Sequence, residues 1–429
     1  MHPHAPPGYR GTWAEVDLDC IASNYATIRS LAGRDTAVFP VVKANAYGHG
    51  ATAVARRLEA EGAATLCVAM PEEGLELRRA GITASILCLG AVDPPQIAPA
   101  ARSRISLSMY GPDQLEIFES VGRASGNPVH FHLKLDTGMN RLGLLPDEIG
   151  PFIEKLRGCR SALLGGVFSN LASADRPDDP ASAAQGERLT AAAAAIRAAG
   201  FDPRPVHVAN SAGLLYHPAL RFDAVRPGIL IYGVRPGAGD AGHGIVPSLS
   251  LKSTVLRVKT VPPGTAVGYS GAWVSTRESR LATLGIGYDD GLPRSITGKG
   301  EVLLGGRRAP LVGVVSMGLV VADATDCGEV APGDEAVLVG SQGGETIGLR
   351  EFAERAGTIP WEILCGIGRR VPRVHLAGGA VVSVSSVLPQ ARDLAPVEST
   401  KKVPRPRRPA AGPEGSAPEA APPPGAEPE

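Results

Sequence analysis

"AVFPVVKANAYGHG", residues 37–50, is an apolar run, interrupted only by Pro40, that stops abruptly on Lys43; Tyr47, Gly48 and Gly50 follow at once. Val38, Phe39, Val41 and Val42 read as a buried strand. In a closed parallel barrel the C-terminal ends of the strands face the ligand site, so a lysine at that end is placed for chemistry. Apolar neighbours disfavour its charged form, which frees an amine for Schiff-base chemistry. An arbitrary lysine is a surface or snorkelling residue, and the stretch around Lys43 must set it apart.

Outward from this stretch, short β-branched runs alternate with Ala-, Leu- and Arg-rich helical stretches over residues 12 to about 240. "TWAEVDL" leads into "CIASNYATIRSLAG", "ATLCVAM" into "PEEGLELRRAG", and "ASILCLG", "VHFHLKLD", "LLGGVFS", "PVHVA" and "GILIYG" follow. About eight such alternations predict an α/β fold with a closed (β/α)8 TIM-type barrel. An open doubly wound sheet would want a glycine-rich turn after its first strand, and "VDLDCIAS" is not one. Beyond about 245 the strands shorten and are broken by Gly, Pro and Asp, which predicts a mostly antiparallel β domain. The expected organisation is a barrel over 1–240, a β domain over 241–388, and a Pro/Ala-rich tail over 389–429 whose composition predicts disorder.

Forty-three Lys and Arg balance forty-three Asp and Glu, so no basic excess points to nucleic acid. The N-terminus carries no apolar segment of the signal-peptide kind. No run of about 18 apolar residues predicts a membrane span. The six cysteines are scattered without a CxxC pair. They are expected to be reduced structural thiols of a cytoplasmic protein, with no metal site among them.

The stretch "VVKANAYGHG" resembles the pyridoxal-phosphate lysine motif of the alanine racemase family. The resemblance extends in order through "HLKLDTGMNRLG" (132–143), "VHVANSAG" (206–213), "FDAVRPGILIYG" (222–233), "VGYSGAW" (267–273), "IGYDDGLPR" (286–294), "VGVVSMG" (312–318) and "RVPRV" (370–374). It implies a pyridoxal 5'-phosphate enzyme that interconverts L- and D-alanine with two bases, supplying D-alanine for peptidoglycan. It further implies a homodimer in which the β domain of one chain completes the site of the other. Under the resemblance Lys43 holds the cofactor and serves one face, and Tyr269 serves the opposite face from the partner. Tyrosine ordinarily ionises near about pH 10, so such a base needs cationic help. Tyr47, Ser211, Gly228 and Ile229 match the phosphate contacts. Arg226 matches the residue facing the pyridine nitrogen, where a group that keeps its proton weakens the electron sink. Arg141 and Met317 match the substrate-carboxylate contacts, and Lys134 a lysine often carbamylated in the family.

Three departures stand out. Asn170 replaces a ring-stacking histidine, Val314 an arginine, and Gly318 an aspartate. These alter the substrate entrance and leave open a serine or broader-specificity racemase of the same fold, since a pocket rejects one added hydroxyl weakly unless built against it.

Overall fold

The computed structural model describes residues 11–237 and 243–387. Eight short parallel strands follow one another in space in the order Thr65–Val68, Ser85–Cys88, Ile105–Met109, Val129–Lys134, Ala162–Phe168, Val206–His207, Ala224–Val225 and Ala37–Val38. The ring is joined just past its last strand: Cys67 N donates to Pro40 O and Val42 N to Cys67 O, each at 2.8 Å. Pro40 lacks an N–H but still offers a carbonyl, so it sits at the seam without leaving a donor unpaired. Helices alternate with the strands, among them Ala51–Ala60, Pro71–Arg79 and Ala181–Ala198. The strands are largely buried, Leu66 to Val68, Ile86 to Cys88, Leu107 to Met109 and Phe131 to Lys134 among them.

Six antiparallel strands close a second, smaller ring. Leu249–Val261 pairs with Ser279–Leu284, then follow Val320–Asp323, Arg307–Val312, Glu301–Leu304 and Glu335–Gln342, and the last pairs back onto Leu249–Val261. The hairpin from Glu301–Leu304 to Arg307–Val312 turns on Gly305 and Gly306, with φ of 57° and 75°. Two consecutive positive φ values suit the strand twist and are available without strain only to glycine.

The strand Thr12–Asp17, expected as the first barrel strand, belongs instead to the β domain. It lies between Leu249–Val261, antiparallel, and Arg373–Ala377, parallel. Thr12 through Val16 are all buried, and Trp13 packs with Val374 and Leu376. A strand buried on both faces carries no alternation to say which sheet it joins. Asp17 then caps the helix Leu18–Ala32 by accepting from Asp19 N and Cys20 N at 2.8 and 3.0 Å, so the chain enters the barrel only at that helix. The boundary expected at 240/241 and the tail 389–429 lie outside the described residues. Among the described residues no helix is long and apolar enough to cross a membrane.

Trp13 is fully buried where the N-terminal strand meets the C-terminal one. Trp13→Ala is expected to destabilise the fold by about 3–5 kcal/mol, read as a lower urea midpoint; a midpoint within error of the parent would show that this strand is not integral to the β domain.

Candidate active site

Past Val42 the chain does something L-residues avoid. Ala44, Asn45, Ala46 and Tyr47 take φ of 52°, 55°, 53° and 51°, a full left-handed turn without a glycine, and Gly48 continues at 80°. Each non-glycine residue there costs about 1–2 kcal/mol. The turn is held on every side. Ala46 N donates to Val42 O (2.9 Å), Gly48 N to Ala44 O (3.0 Å), and Ala51 N to Asn45 Oδ1 (2.8 Å). Glu73 Oε1 accepts from Ala44 N at 2.6 Å. From the β domain, Arg373 Nε donates to Gly48 O (2.8 Å) and His375 Nε2 to His49 O (2.9 Å). Behind it, the Tyr232 ring stacks against Tyr47 and His49, and its hydroxyl donates to Val41 O at 2.9 Å. Lys43 thus leaves a strand end on a rigid pedestal.

A cavity of about 390 Å³ opens at this end of the barrel. Lys43, Tyr47, Arg141, Asn170, Ser211, Arg226, Gly228 and Ile229 all line it, so eight of the eleven residues singled out from the sequence come together. Burial lowers the pKa of the Lys43 amine, and the Arg141 charge lowers it further. Lys134, at the end of its strand, lies 5.3 Å from the centre of the Phe168 ring. Burial, followed by the charges of Arg226, Arg141 and Lys43, lowers its pKa to about 8. Tyr47 approaches Gly228 so closely that an added Cβ would lie 2.4 Å from its hydroxyl oxygen, and burial pushes its phenol pKa up, keeping that hydroxyl protonated. Ser211 Oγ accepts from Gly228 N and Leu230 N at 2.9 and 3.3 Å, which folds the 228–230 backbone around the serine.

Arg226 is fully enclosed yet faces no carboxylate in its hydrogen bonds. Nη2 donates to Ser169 O (2.6 Å) and Val208 O (3.2 Å), and Nη1 meets His207 Nδ1 at 2.7 Å. Arginine can only donate, so His207 accepts on Nδ1 and carries its proton on Nε2. That proton is given to His132 Nδ1 at 2.9 Å. Burial, then the Arg226 charge, depresses both imidazoles, His132 to about 4 and His207 well below its usual range, so both stay neutral. Burial lowers Arg226 to about 10, which leaves it charged at neutral pH.

Tyr269 and Met317 do not line the cavity. They stand on the β domain, 70% and 59% exposed, with Tyr288 and Leu319 also exposed. Val314 and Gly318 lie in the same region, Gly318 beside Arg370, which is ion-paired to Asp289 and Asp290. The sequence reading missed Glu73, His132, His207, Arg373 and the cavity-lining Trp361. The two histidines sit inside motifs already quoted, "HLKLD" and "VHVAN"; no local signal marked Glu73 or Trp361.

Three cationic side chains line the cavity, Lys43, Arg141 and Arg226, and one of them is a lysine amine with lowered pKa, a combination that suits an anionic carbonyl compound. Two family models match the chain: the alanine racemase N-terminal domain over residues 16–236 and the alanine racemase C-terminal domain over 248–375. The alanine racemase of Symbiobacterium thermophilum is 42% identical over 369 residues, covering 86% of this chain and 98% of that protein. The alanine racemase of Geobacter sulfurreducens is 40% identical, with 86% and 97% covered. Among solved structures, alanine racemase from Bacillus anthracis with bound L-Ala-P superposes with a TM-score of 0.84 at 36% identity, covering 89% of this chain and 99% of that one. The alanine racemase of Clostridium difficile gives 0.83 at 32%, with 88% and 98% covered.

The site makes Lys134 an unusual amine. Its pH-dependent reductive methylation, followed by peptide mass, is expected to half-titrate near pH 8, well below an ordinary lysine at about 10.4. Arg141→Ala removes a neighbouring positive charge and is expected to move that midpoint upward. A midpoint near that of surface lysines would contradict the described packing.

Proposed function

This chain belongs to the alanine racemase family, and on that premise we propose how its own residues divide the reaction. The enzyme is an isomerase that interconverts L-alanine and D-alanine. The observation carrying the reading is that Lys43, a desolvated amine on a strained turn, opens into a cavity shared with Arg226 and with the Tyr47–Gly228 contact.

The residues present fit pyridoxal 5'-phosphate. The absence of a side chain at Gly228 lets the Tyr47 hydroxyl close on its backbone, that hydroxyl stays protonated, and Lys43, Arg141 and Arg226 bring positive charge to the cavity. Lys43 would hold the cofactor covalently; Tyr47, Ser211, Gly228 and Ile229 would take its phosphate, Arg226 would face its ring nitrogen, and Asn170 would flank the ring. When bound, pyridoxal phosphate delocalises the electron pair left on the substrate Cα after proton removal. Arg226 holds its own proton at neutral pH and, being donor-only, keeps that delocalisation modest. Neutral His207 and His132 fix the guanidinium without adding charge. Arg141 binds the substrate carboxylate through its two-pronged guanidinium, and the backbone N–H of Met317 from the partner subunit adds a second contact. Lys134, with a substantial neutral fraction near pH 8, is the nucleophilic amine that carbon dioxide would convert to a carbamate, an anion that would hold Arg141.

Reversal at Cα needs a proton taken from one face and returned to the other. Lys43 serves one face. Tyr269, exposed on the β domain and absent from the cavity lining of its own chain, serves the other from the partner subunit. The exposed patch of Tyr269, Tyr288, Met317 and Leu319 supports this homodimer, with two composite sites. We read the protein as cytoplasmic, supplying D-alanine for peptidoglycan; all six cysteines are free thiols, which supports a reducing compartment.

Mixing Lys43→Ala chains with Tyr269→Phe chains is expected to restore part of the activity in heterodimers, because one of the two sites then has both bases. Absence of recovery with heterodimers verified by mass would place each site within one chain.

In deuterated water, Tyr269→Phe is expected to lose exchange of the Cα hydrogen of L-alanine by about 10²–10⁴-fold while D-alanine continues to exchange. Equal losses from both enantiomers would remove support for one base per face.

A further inference from the structure

Lys43 takes its direction from the peptide that follows it, and that peptide has an acceptor from elsewhere in the barrel. Glu73 lies in the first turn of the helix Pro71–Arg79. A carboxylate at this position ordinarily folds back on the backbone just ahead of its helix. Here Oε2 does so, accepting from Ala69 N at 2.7 Å and Met70 N at 3.3 Å. Oε1 points away and accepts from Ala44 N at 2.6 Å. Ala44 opens the left-handed turn with φ of 52°, and its N–H is the N–H of the Lys43–Ala44 peptide. One carboxylate therefore joins the end of the neighbouring strand Thr65–Val68 to the peptide immediately after the lysine.

We infer that Glu73 is the positioning residue for Lys43, its carboxylate bridging Ala44 N–H and Ala69 N–H so that the Lys43–Ala44 peptide stays in the orientation that aims the amine into the cavity. The inference rests on the role assigned to Lys43 above. Its physical basis is the cost of the turn. Without the carboxylate, the Ala44 N–H turns to solvent and the residue relaxes toward the right-handed region, which L-residues favour. That relaxation rotates the peptide and swings the Lys43 side chain. A misplacement of the order of 1 Å at a reacting group costs about 10²-fold in rate. Charge points the same way. Arg141, Arg226 and Lys134 surround the amine with positive charge, and Glu73 and the Cys365 thiol act on it in the opposite sense. Glu73 is thus the carboxylate acting on Lys43 both through a bond to its peptide and through space.

The test uses the full-length holoenzyme with Glu73→Gln, Glu73→Asp and, as a neighbouring control, Glu72→Gln. Glutamine can accept from only one of the two N–H groups, and aspartate is one methylene too short to span them. Glu73→Gln is expected to lower kcat about 10–100-fold while KM for alanine moves by less than about threefold, since the Arg141 contact is untouched. Amide exchange over residues 44–47 is expected to speed up at least about tenfold in the same variant and to stay unchanged in Glu72→Gln. Glu73→Asp is expected to show the same split and the same faster exchange. Parental kcat and parental exchange in both Glu73 variants would overturn the inference, as would a lower melting temperature with kcat per folded molecule unchanged. Lys43→Ala run alongside separates the two readings. If it still racemises alanine, the role of Lys43 itself fails; if it is inactive while both Glu73 variants behave as the parent, only the role of Glu73 fails.

Discussion

Four consecutive non-glycine residues in the left-handed region, Ala44 to Tyr47, are the constraint around which this molecule is arranged. At about 1–2 kcal/mol per residue, the turn carries strain comparable with a good part of the roughly 5–15 kcal/mol by which domains are stable. Such strain persists only where the surroundings over-determine it. Here the barrel supplies Val42 O, the Glu73 carboxylate and the Tyr232 ring, and the β domain supplies Arg373 and His375. The Arg373 guanidinium is buried and donates to four carbonyls, those of Gly48, Ile367, Gly368 and Val371. The turn that carries Lys43 is therefore also a joint between the two domains. Within "RVPRV", Arg373 reaches the turn while Arg370 pairs with Asp289 and Asp290.

The electrostatics follow from the same enclosure. Burial drives Lys43, Lys134 and Arg226 toward their neutral forms, and the charges of Arg141 and Arg226 lower the two lysines further. Only the amines respond usefully, because an amine that loses its proton becomes a nucleophile or a base, whereas the guanidinium stays charged. Arg226 is satisfied by carbonyls and a neutral imidazole, an arrangement that fixes its position without cancelling its charge. Of the two residues read as bases, Lys43 lines the cavity and Tyr269 does not. Tyr269 and Met317 stand exposed on the β domain instead.

The sequence by itself determined the class of fold and singled out most of the residues that the structure gathers around one cavity. Period-two and period-3.6 patterns report which faces are buried, so the barrel, the β domain and the strand-end position of Lys43 were legible, and ordered motifs brought Tyr47, Arg141, Ser211, Arg226 and Gly228 into one list. Burial patterns do not name a partner, however, and the doubly buried strand Thr12–Asp17 joined the β sheet rather than the barrel. The tertiary structure alone decided that Glu73 reaches back to Ala44, that His132 and His207 line up behind Arg226, and that Tyr269 stands exposed outside the cavity lining. The physical reason is range. Helix and strand patterns arise from contacts a few residues apart, whereas a carboxylate 29 residues from its amide, or an imidazole 75 residues from its neighbour, becomes a contact only once the barrel has closed.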